Sequence, residues 1–242
     1  MKRLLDIAVS SVGLIAASPV LVPTMIAIWL QDFHSPFYVA PRVGRGERPF
    51  RMYKFRSMVV NADSTGVDST SARDPRITRV GHFVRRYKLD ELPQLYNVLK
   101  GDMSLVGPRP NVERETRLYT DEEKRLLSVR PGITDFASIV FSDEGDILSE
   151  HDDPDLAYNQ LIRPWKSRLG LFYVDHASLA VDLRLILLTA VAILSRERAL
   201  DGVVALLERL GADEELIRVA RRTEPLVPTP PPGATEVVTS RG

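Results

Sequence analysis

The chain has 242 residues, and its 32 Lys+Arg balance its 32 Asp+Glu, so no global basic charge points to nucleic acid. It has no cysteine, which excludes disulfides, thiolate catalysis and Cys-ligated zinc, and its four histidines (His34, His82, His151, His176) show no metal-type spacing. The length suits one domain plus appendages, and neither a Walker-type loop nor a GxGxxG motif occurs.

The first element is apolar. From Ile7 to Gln31 no side chain is charged, and these 25 residues would reach about 37 Å as a helix, against a hydrocarbon core of about 30 Å. A cleaved signal peptide is disfavoured, because the run is too long and is followed by an Arg-rich segment. A simple spanning helix is disfavoured on two counts. Pro19 and Pro23 each remove a helical hydrogen bond near the middle of the run, and Ser18 is pushed away from helical geometry by Pro19. Positive residues flank both ends: Lys2 and Arg3 before the run, and Arg42, Arg45, Arg48, Arg51, Lys54 and Arg56 after it. Positive flanks favour the cytoplasmic side, so both ends belong there. The reading is a helix that enters the membrane, breaks at Ser18-Pro19 and returns.

The polar part follows. Residues 41–58 read as a short hairpin or loop, and 61–76 as a turn-rich, mobile loop. A helix is expected over "ITRVGHFVRRYK" and another from "LDELPQLYNVLK", where Asp90 can cap, Pro93 fits the first turn and Gly101 stops it. "DMSLVGPRP" is extended, and "VERETRLYTDEEKRLLSVRPG" is one charged helix. The acidic run "SDEGDILSEHDDPD" reads as a solvated loop ending in a helix N-terminus at Asp153-Pro154. Helices are expected near 154–169 and 178–196. The second of these is strongly apolar but carries Asp182 and Arg184, so it suits packing or an interface better than a span. Residues 198–222 form an amphipathic pair broken at Gly211, and the Pro/Thr-rich end reads as disordered.

The candidate chemistry sits in "RRYKLDELPQLYN". Asp90 and Glu91 together can simply start a helix. The cationic set Lys54, Arg56, Arg85, Arg86, Lys88 and Arg109 suggests more, because it suits phosphate. A phosphate beside two carboxylates calls for a divalent cation, with Mg²⁺ the usual choice. A carboxylate so placed can act as a nucleophile, while Lys and Arg neutralise the charge of phosphoryl transfer. Beside a membrane segment, this suits a reaction between a nucleotide diphosphate and a lipid phosphate. Two rivals share these residues: a tethered scaffold gripping lipid headgroups, and a Mg²⁺-dependent nucleotide-sugar phosphohydrolase.

The chain resembles the bacterial sugar transferase family, the small monotopic phosphoglycosyl transferases. The resemblance rests on "KRLLDI", Ser18-Pro19, "YKFRSM", the long block 74–110, "RPGIT", Asp182 and Thr189, and covers residues 1–195. It implies transfer of a sugar 1-phosphate from a UDP-sugar to a polyprenyl (undecaprenyl) phosphate, with Mg²⁺ and release of UMP. It implies Asp90 as the nucleophile that becomes an aspartyl-phosphosugar, and Glu91 as its metal-orienting partner. Lys54 and Arg109 are implied as phosphate or membrane-interface ligands, with Arg85 or Arg86 serving the nucleotide. Tyr87-Lys88 and Asp135-Phe136-Ala137-Ser138 depart from the family pattern, which bears on the sugar rather than the reaction.

The expected fold is mainly α with minor β. Residues 1–35 are the re-entrant helix and 36–195 a compact cytosolic catalytic domain with interfacial amphipathic helices. Residues 196–222 are a helical addition that suits a partner, a second copy or equally an ordinary amphipathic surface helix, and 223–242 a disordered tail. The expected phosphate ligands are Lys54, Arg56, Arg85, Arg86 and Arg109. The expected place is the cytoplasmic face of a bacterial inner membrane, among membrane lipid, with a step that starts a surface glycan.

Overall fold

The structure is a computed structural model that describes residues 1–62 and 74–239. The larger part of the loop expected over 61–76 lies outside the described residues. The protein is mostly helical with minor sheet.

Helix α1 (Lys2–Leu30, 29 residues) runs without interruption through both prolines, so the expected loss of helix at Ser18-Pro19 does not occur. Its local reason is visible. Pro19 cannot donate to the Ile15 carbonyl, and the Ser18 hydroxyl donates to it instead at 2.7 Å. One 18-residue stretch has a mean hydropathy of 2.0, yet only 11% of it is covered by protein, so this helix meets the length and composition of a membrane helix.

Both ends of α1 are tied to the same body. The antiparallel hairpin β1 (Phe37–Val43) and β2 (Pro49–Phe55) follows α1, then α2 (Arg79–Arg86) and α3 (Gln94–Lys100). At the start of α1, Arg3 donates to the carbonyls of Val98 and Leu99, a cation on the C-terminal end of α3. Buried Asp6 accepts Ser104 Oγ at 3.1 Å and Leu105 N at 3.0 Å, in β3 (Ser104–Val106). Past its far end, Asp32 takes a two-pronged ion pair from Arg56 at 2.5 and 2.7 Å, and Ile28 packs with Phe55 and Val84.

The remaining helices build the main core. After α4 (Glu113–Thr116) come β4 (Gly132–Thr134), α5 (Phe136–Val140), α6 (Glu144–Ser149) and α7 (Pro154–Ala157). A π turn (Tyr158–Ile162) joins α7 to α8 (Arg163–His176), and α9 (Leu179–Leu194), α10 (Arg196–Arg209) and α11 (Glu214–Arg221) close the fold. Trp165, Tyr173, Phe136, Leu185 and Leu207 are sealed inside. The helical addition therefore shares this core, with Ala199, Val203, Val204 and Leu207 buried in it. Strands β3 and β4 pair in parallel, Ser104 opposite Gly132 and Val106 opposite Thr134. Their backbones nearly touch: a Cβ on Gly132 would lie 2.1 Å from Gly107 N.

Three expectations are corrected. The single helix over 112–132 is instead α4 and a separate 3-10 turn (Glu123–Ser128). Thr120 and Glu123 cap each other reciprocally, at 3.1 Å in both directions, and so restart the chain there. The acidic loop contains α6, although Asp153 does cap α7 through Leu156 N as expected. The tail up to residue 239 is not disordered. Pro231 and Pro232 are buried, Thr120 Oγ1 donates to Pro232 O at 2.5 Å, and Gln160 Nε2 donates to Val238 O at 2.7 Å. Prolines with fixed φ lose little freedom on docking, so a polar, Pro-rich strap can be held by few bonds.

Glu123 and Arg163 form a fully enclosed ion pair at 2.7 Å, with side-chain exposures of 0% and 3%, supported by Ser167 Oγ at 2.7 Å. Arg163→Met is expected to cost about 3–5 kcal/mol, since it strands a buried carboxylate. Arg117→Ala, which removes the exposed pair with Glu113, should cost under about 0.5 kcal/mol. Urea unfolding of the two variants beside wild type measures both.

Candidate active site

The acid pair does not start a helix. Lys88 adopts the left-handed conformation (φ 55°, ψ 23°) and turns the chain out of α2 into a 3-10 turn, Leu89–Glu91. Helix α3 begins only at Gln94, and its cap position, Pro93, makes no side-chain bond. The capping expectation for Asp90 is therefore not met. Gly101 does end α3, in the left-handed region as expected.

Glu91 and Asp90 sit side by side in opposite circumstances. Arg109, just after β3, holds both oxygens of Glu91, with Nη2 to Oε1 at 2.6 Å and Nη1 to Oε2 at 3.1 Å. Arg109 Nη1 also donates to the Ile133 carbonyl at 2.9 Å, so strand β4 sets where the clamp sits. Asp90 is 8% exposed, and its Oδ1 is enclosed with no hydrogen-bond partner among the described residues. Such an atom costs about 1–3 kcal/mol when left unbonded.

These surroundings push the two carboxyls apart. Burial raises Glu91, but Arg109, Lys54 and Lys88 outweigh it and hold the group down to about 2. Burial raises Asp90, the Glu91 charge adds to the rise, and Lys54, Arg85 and Lys88 only partly oppose it. A pair driven apart in this way marks distinct roles for two like groups.

Lys54 stands on β2 opposite Tyr38 and is half-buried. Burial and the nearby Arg109 charge pull its ammonium down to about 8, against the opposing pull of Glu91 and Asp90. Lys54, Arg109, Asp90 and Glu91 are thus one electrostatic unit. Arg85 is half-buried, and its charge reaches Asp90 and Asp74. Arg86 is exposed and lies over the Tyr87 ring at 5.7 Å, so the structure does not bring it to the dyad. Arg56 is 8% exposed and committed to Asp32 and the Ser35 carbonyl, as the clamp at the end of α1. Ser18 and Pro19 lie on the exposed middle of α1.

Lys88, named in the cationic set but not among the expected phosphate ligands, joins the site, and so do two residues the sequence did not single out for it. Lys88 acts on both carboxyls; it was legible in the basic run, though its left-handed backbone was not. Asp135 is buried, caps α5 through Ser138 N at 2.7 Å, and feels the Arg109 charge. An Asp before an apolar run is a capping signal. Gln94 is completely buried, with neither amide atom bonded among the described residues, and no sequence pattern announces that.

No group of three His, Asp or Glu suited to a metal occurs among the described residues. The donor set still fits a hard divalent cation: two neighbouring carboxylates, to be completed by phosphate oxygens and water.

The bacterial sugar transferase family matches residues 1–196. The chain belongs to that family. It is 44% identical to a putative undecaprenyl-phosphate N-acetylgalactosaminyl 1-phosphate transferase of Bacillus subtilis, over 55% of this chain and 71% of that protein. It is 37% identical to the undecaprenyl-phosphate galactose phosphotransferase of Salmonella typhimurium, over 82% of this chain and 41% of the relative. It is 38% identical to the undecaprenyl-phosphate glucose phosphotransferase of Komagataeibacter xylinus, over 78% and 35%. The chain thus spans well under half the length of the latter two.

The Lys54 ammonium is charged below about pH 8 and neutral above it. The hold of this site on a diphosphate should therefore weaken as pH rises through 8. In Lys54→Arg the charge persists, and the decline should vanish from the range up to about pH 10. Titration calorimetry with UDP between pH 6.5 and 10 reads the difference.

Proposed function

We propose that the protein transfers a sugar 1-phosphate from a UDP-sugar to undecaprenyl or a related polyprenyl phosphate. UMP leaves, and the product is a polyprenyl-diphosphate sugar, the starting unit of a surface glycan. The observation that carries this reading is the split dyad: Glu91 locked ionised by Arg109, and Asp90 beside it with no partner for Oδ1. The family and its polyprenyl-phosphate-using relatives support the substrate class.

In this reading Asp90 is the nucleophile. Its solvent-side oxygen attacks the β-phosphorus, the bond from that phosphorus to the bridging oxygen breaks, and UMP departs with the electron pair. The phosphosugar stays on Asp90 as an acyl phosphate. An oxygen of the polyprenyl phosphate then attacks the same phosphorus, and the Asp90 carboxylate leaves. Lys54 and Arg109 face the charge that builds on the phosphoryl oxygens, with Arg85 and Lys88 adding to the field. Asp90, Glu91 and the donor's phosphates would hold Mg²⁺, which would neutralise charge on the diphosphate.

The reading places the site at the cytoplasmic face of the inner membrane. Helix α1 is apolar and mostly uncovered, yet Lys2, Arg3 and Asp6 at one end and Asp32 just beyond the other bond to one polar body. A helix that crossed a bilayer would put its ends on opposite sides, so this supports re-entrant insertion. Outward-facing Leu183, Leu187 and Ile193 on α9 support an interfacial role for that helix.

The expected result with detergent-solubilised protein, Mg²⁺ and undecaprenyl phosphate is UMP release from UDP-N-acetylgalactosamine, UDP-galactose or UDP-glucose. Product should need the lipid, and Asp90→Asn should lose at least about 10³-fold in turnover. Sustained turnover without lipid, beyond the one equivalent of UMP that loading Asp90 releases, would make the protein a hydrolase, and turnover by Asp90→Asn would remove Asp90 as nucleophile. The chain has no native thiol, so single cysteines report topology directly. One inserted after Met1 and one at Arg45 should both be shielded from an impermeant thiol reagent in intact cells. Labelling of one site alone would show a helix that crosses.

A further inference from the structure

We propose that Gln94 is a positioning residue for Asp90, donating from its side-chain amide to Oδ1 and so turning the other carboxylate oxygen toward the donor phosphate. The inference rests on the reading of Asp90 as nucleophile.

The ground is an imbalance in one short stretch. Gln94 is 0% exposed, and both Nε2 and Oε1 lack partners among the described residues; Asp90 Oδ1, four residues earlier, is enclosed and unpartnered as well. The chain is right-handed from the 3-10 turn onward, with Leu92 at φ −57°, ψ −36° and Pro93 at φ −61°, ψ −18°. The turn closes with i→i+3 bonds, Glu91 N to Lys88 O and Leu92 N to Leu89 O, and Gln94 then opens α3. Two buried polar groups without partners thus stand about one turn apart along the chain.

The same helix shows that the fold can satisfy a buried amide. Asn97 is equally buried, but its Oδ1 accepts Tyr53 N at 2.9 Å and its Nδ2 donates to Arg51 O at 2.7 Å. Asn97 is used to hold α3 on β2. Gln94 holds nothing, and a leucine or methionine would fill its place without the desolvation penalty. A polar group kept where an apolar one would be more stable points to use in the reaction.

Closing the bond needs little. Neither atom gives up another partner, and both are already desolvated. No proton moves, since Nε2–H only donates. Oδ1 is the enclosed oxygen, so fixing it leaves the other oxygen for attack and prevents the carboxylate from turning during the two displacements.

The test is Gln94→Met, close to glutamine in length and without its amide. Wild type, Gln94→Met and Asp90→Asn are compared in the UMP-release assay, using the UDP-sugar that wild type turns over among the three named above. Gln94→Met should lower kcat about 10–100-fold with donor KM within about twofold. Its thermal midpoint should be equal to or above that of wild type. Turnover at the wild-type rate would overturn the inference. So would a lowered midpoint with kcat and KM failing together, which marks a structural amide. If Asp90→Asn is inactive and Gln94→Met turns over at the wild-type rate, only the inference on Gln94 falls; if Asp90→Asn turns over, the nucleophile reading falls with it.

Discussion

An uncharged helix that starts and finishes on the same polar body constrains everything else in this protein. Lys2 Nζ donates to Asp182 at 2.7 Å, and to Tyr173 and Val106 O at 3.0 Å, joining the start of α1 to α8, α9 and β3. Asp182 is 2% exposed and takes a second bond from Tyr173 Oη at 2.6 Å. Past the far end, Arg56 holds Asp32. Between these knots α1 presents apolar side chains that the domain leaves bare. The catalytic candidates are therefore held at a fixed height relative to that helix, because β2 carries both Lys54 and the Phe55 that packs on Ile28.

Charge then separates two carboxyls that the chain makes neighbours. The 3-10 turn brings Asp90 and Glu91 together, and the two would repel in a buried place. Arg109 resolves this by pairing with both oxygens of Glu91, each of which keeps a second lone pair. Glu91 becomes half of an ion pair and serves as a fixed negative charge. Asp90, without a clamp, keeps a free oxygen and a raised proton affinity. The asymmetry comes from the side chain that reaches across from the β3 end, not from the two acids themselves.

Much of this was legible in the sequence. Apolar length and Arg-rich flanks marked the membrane-type helix, and Asp153-Pro154 marked a true helix start. Lys54, Arg109, Asp90 and Glu91 were all named, because phosphate chemistry needs those types close together. What was not legible depended on partners distant in the chain. Arg56 looked like any other cation until Asp32 took it. Asp90 looked like a cap because nothing in the sequence shows that Lys88 turns left-handed. Helical bonding persists across Ser18-Pro19 because the Ser18 hydroxyl takes up the Ile15 carbonyl that Pro19 cannot reach. The Pro-rich tail looked free because its docking rests on Thr120 and Gln160, far upstream.

The near-contact of Gly107 and Gly132 has a consequence for how the reaction centre could drift in evolution. Arg109, two residues past Gly107, hangs from the carbonyl of Ile133, which is one residue past Gly132. Even a methyl group at either glycine would wedge the two strands apart and carry the arginine away from Glu91. These glycines touch no substrate, yet they set the spacing of the charges as a shim sets a bearing. Mutational tolerance there should follow the tolerance of the dyad itself rather than that of an ordinary loop.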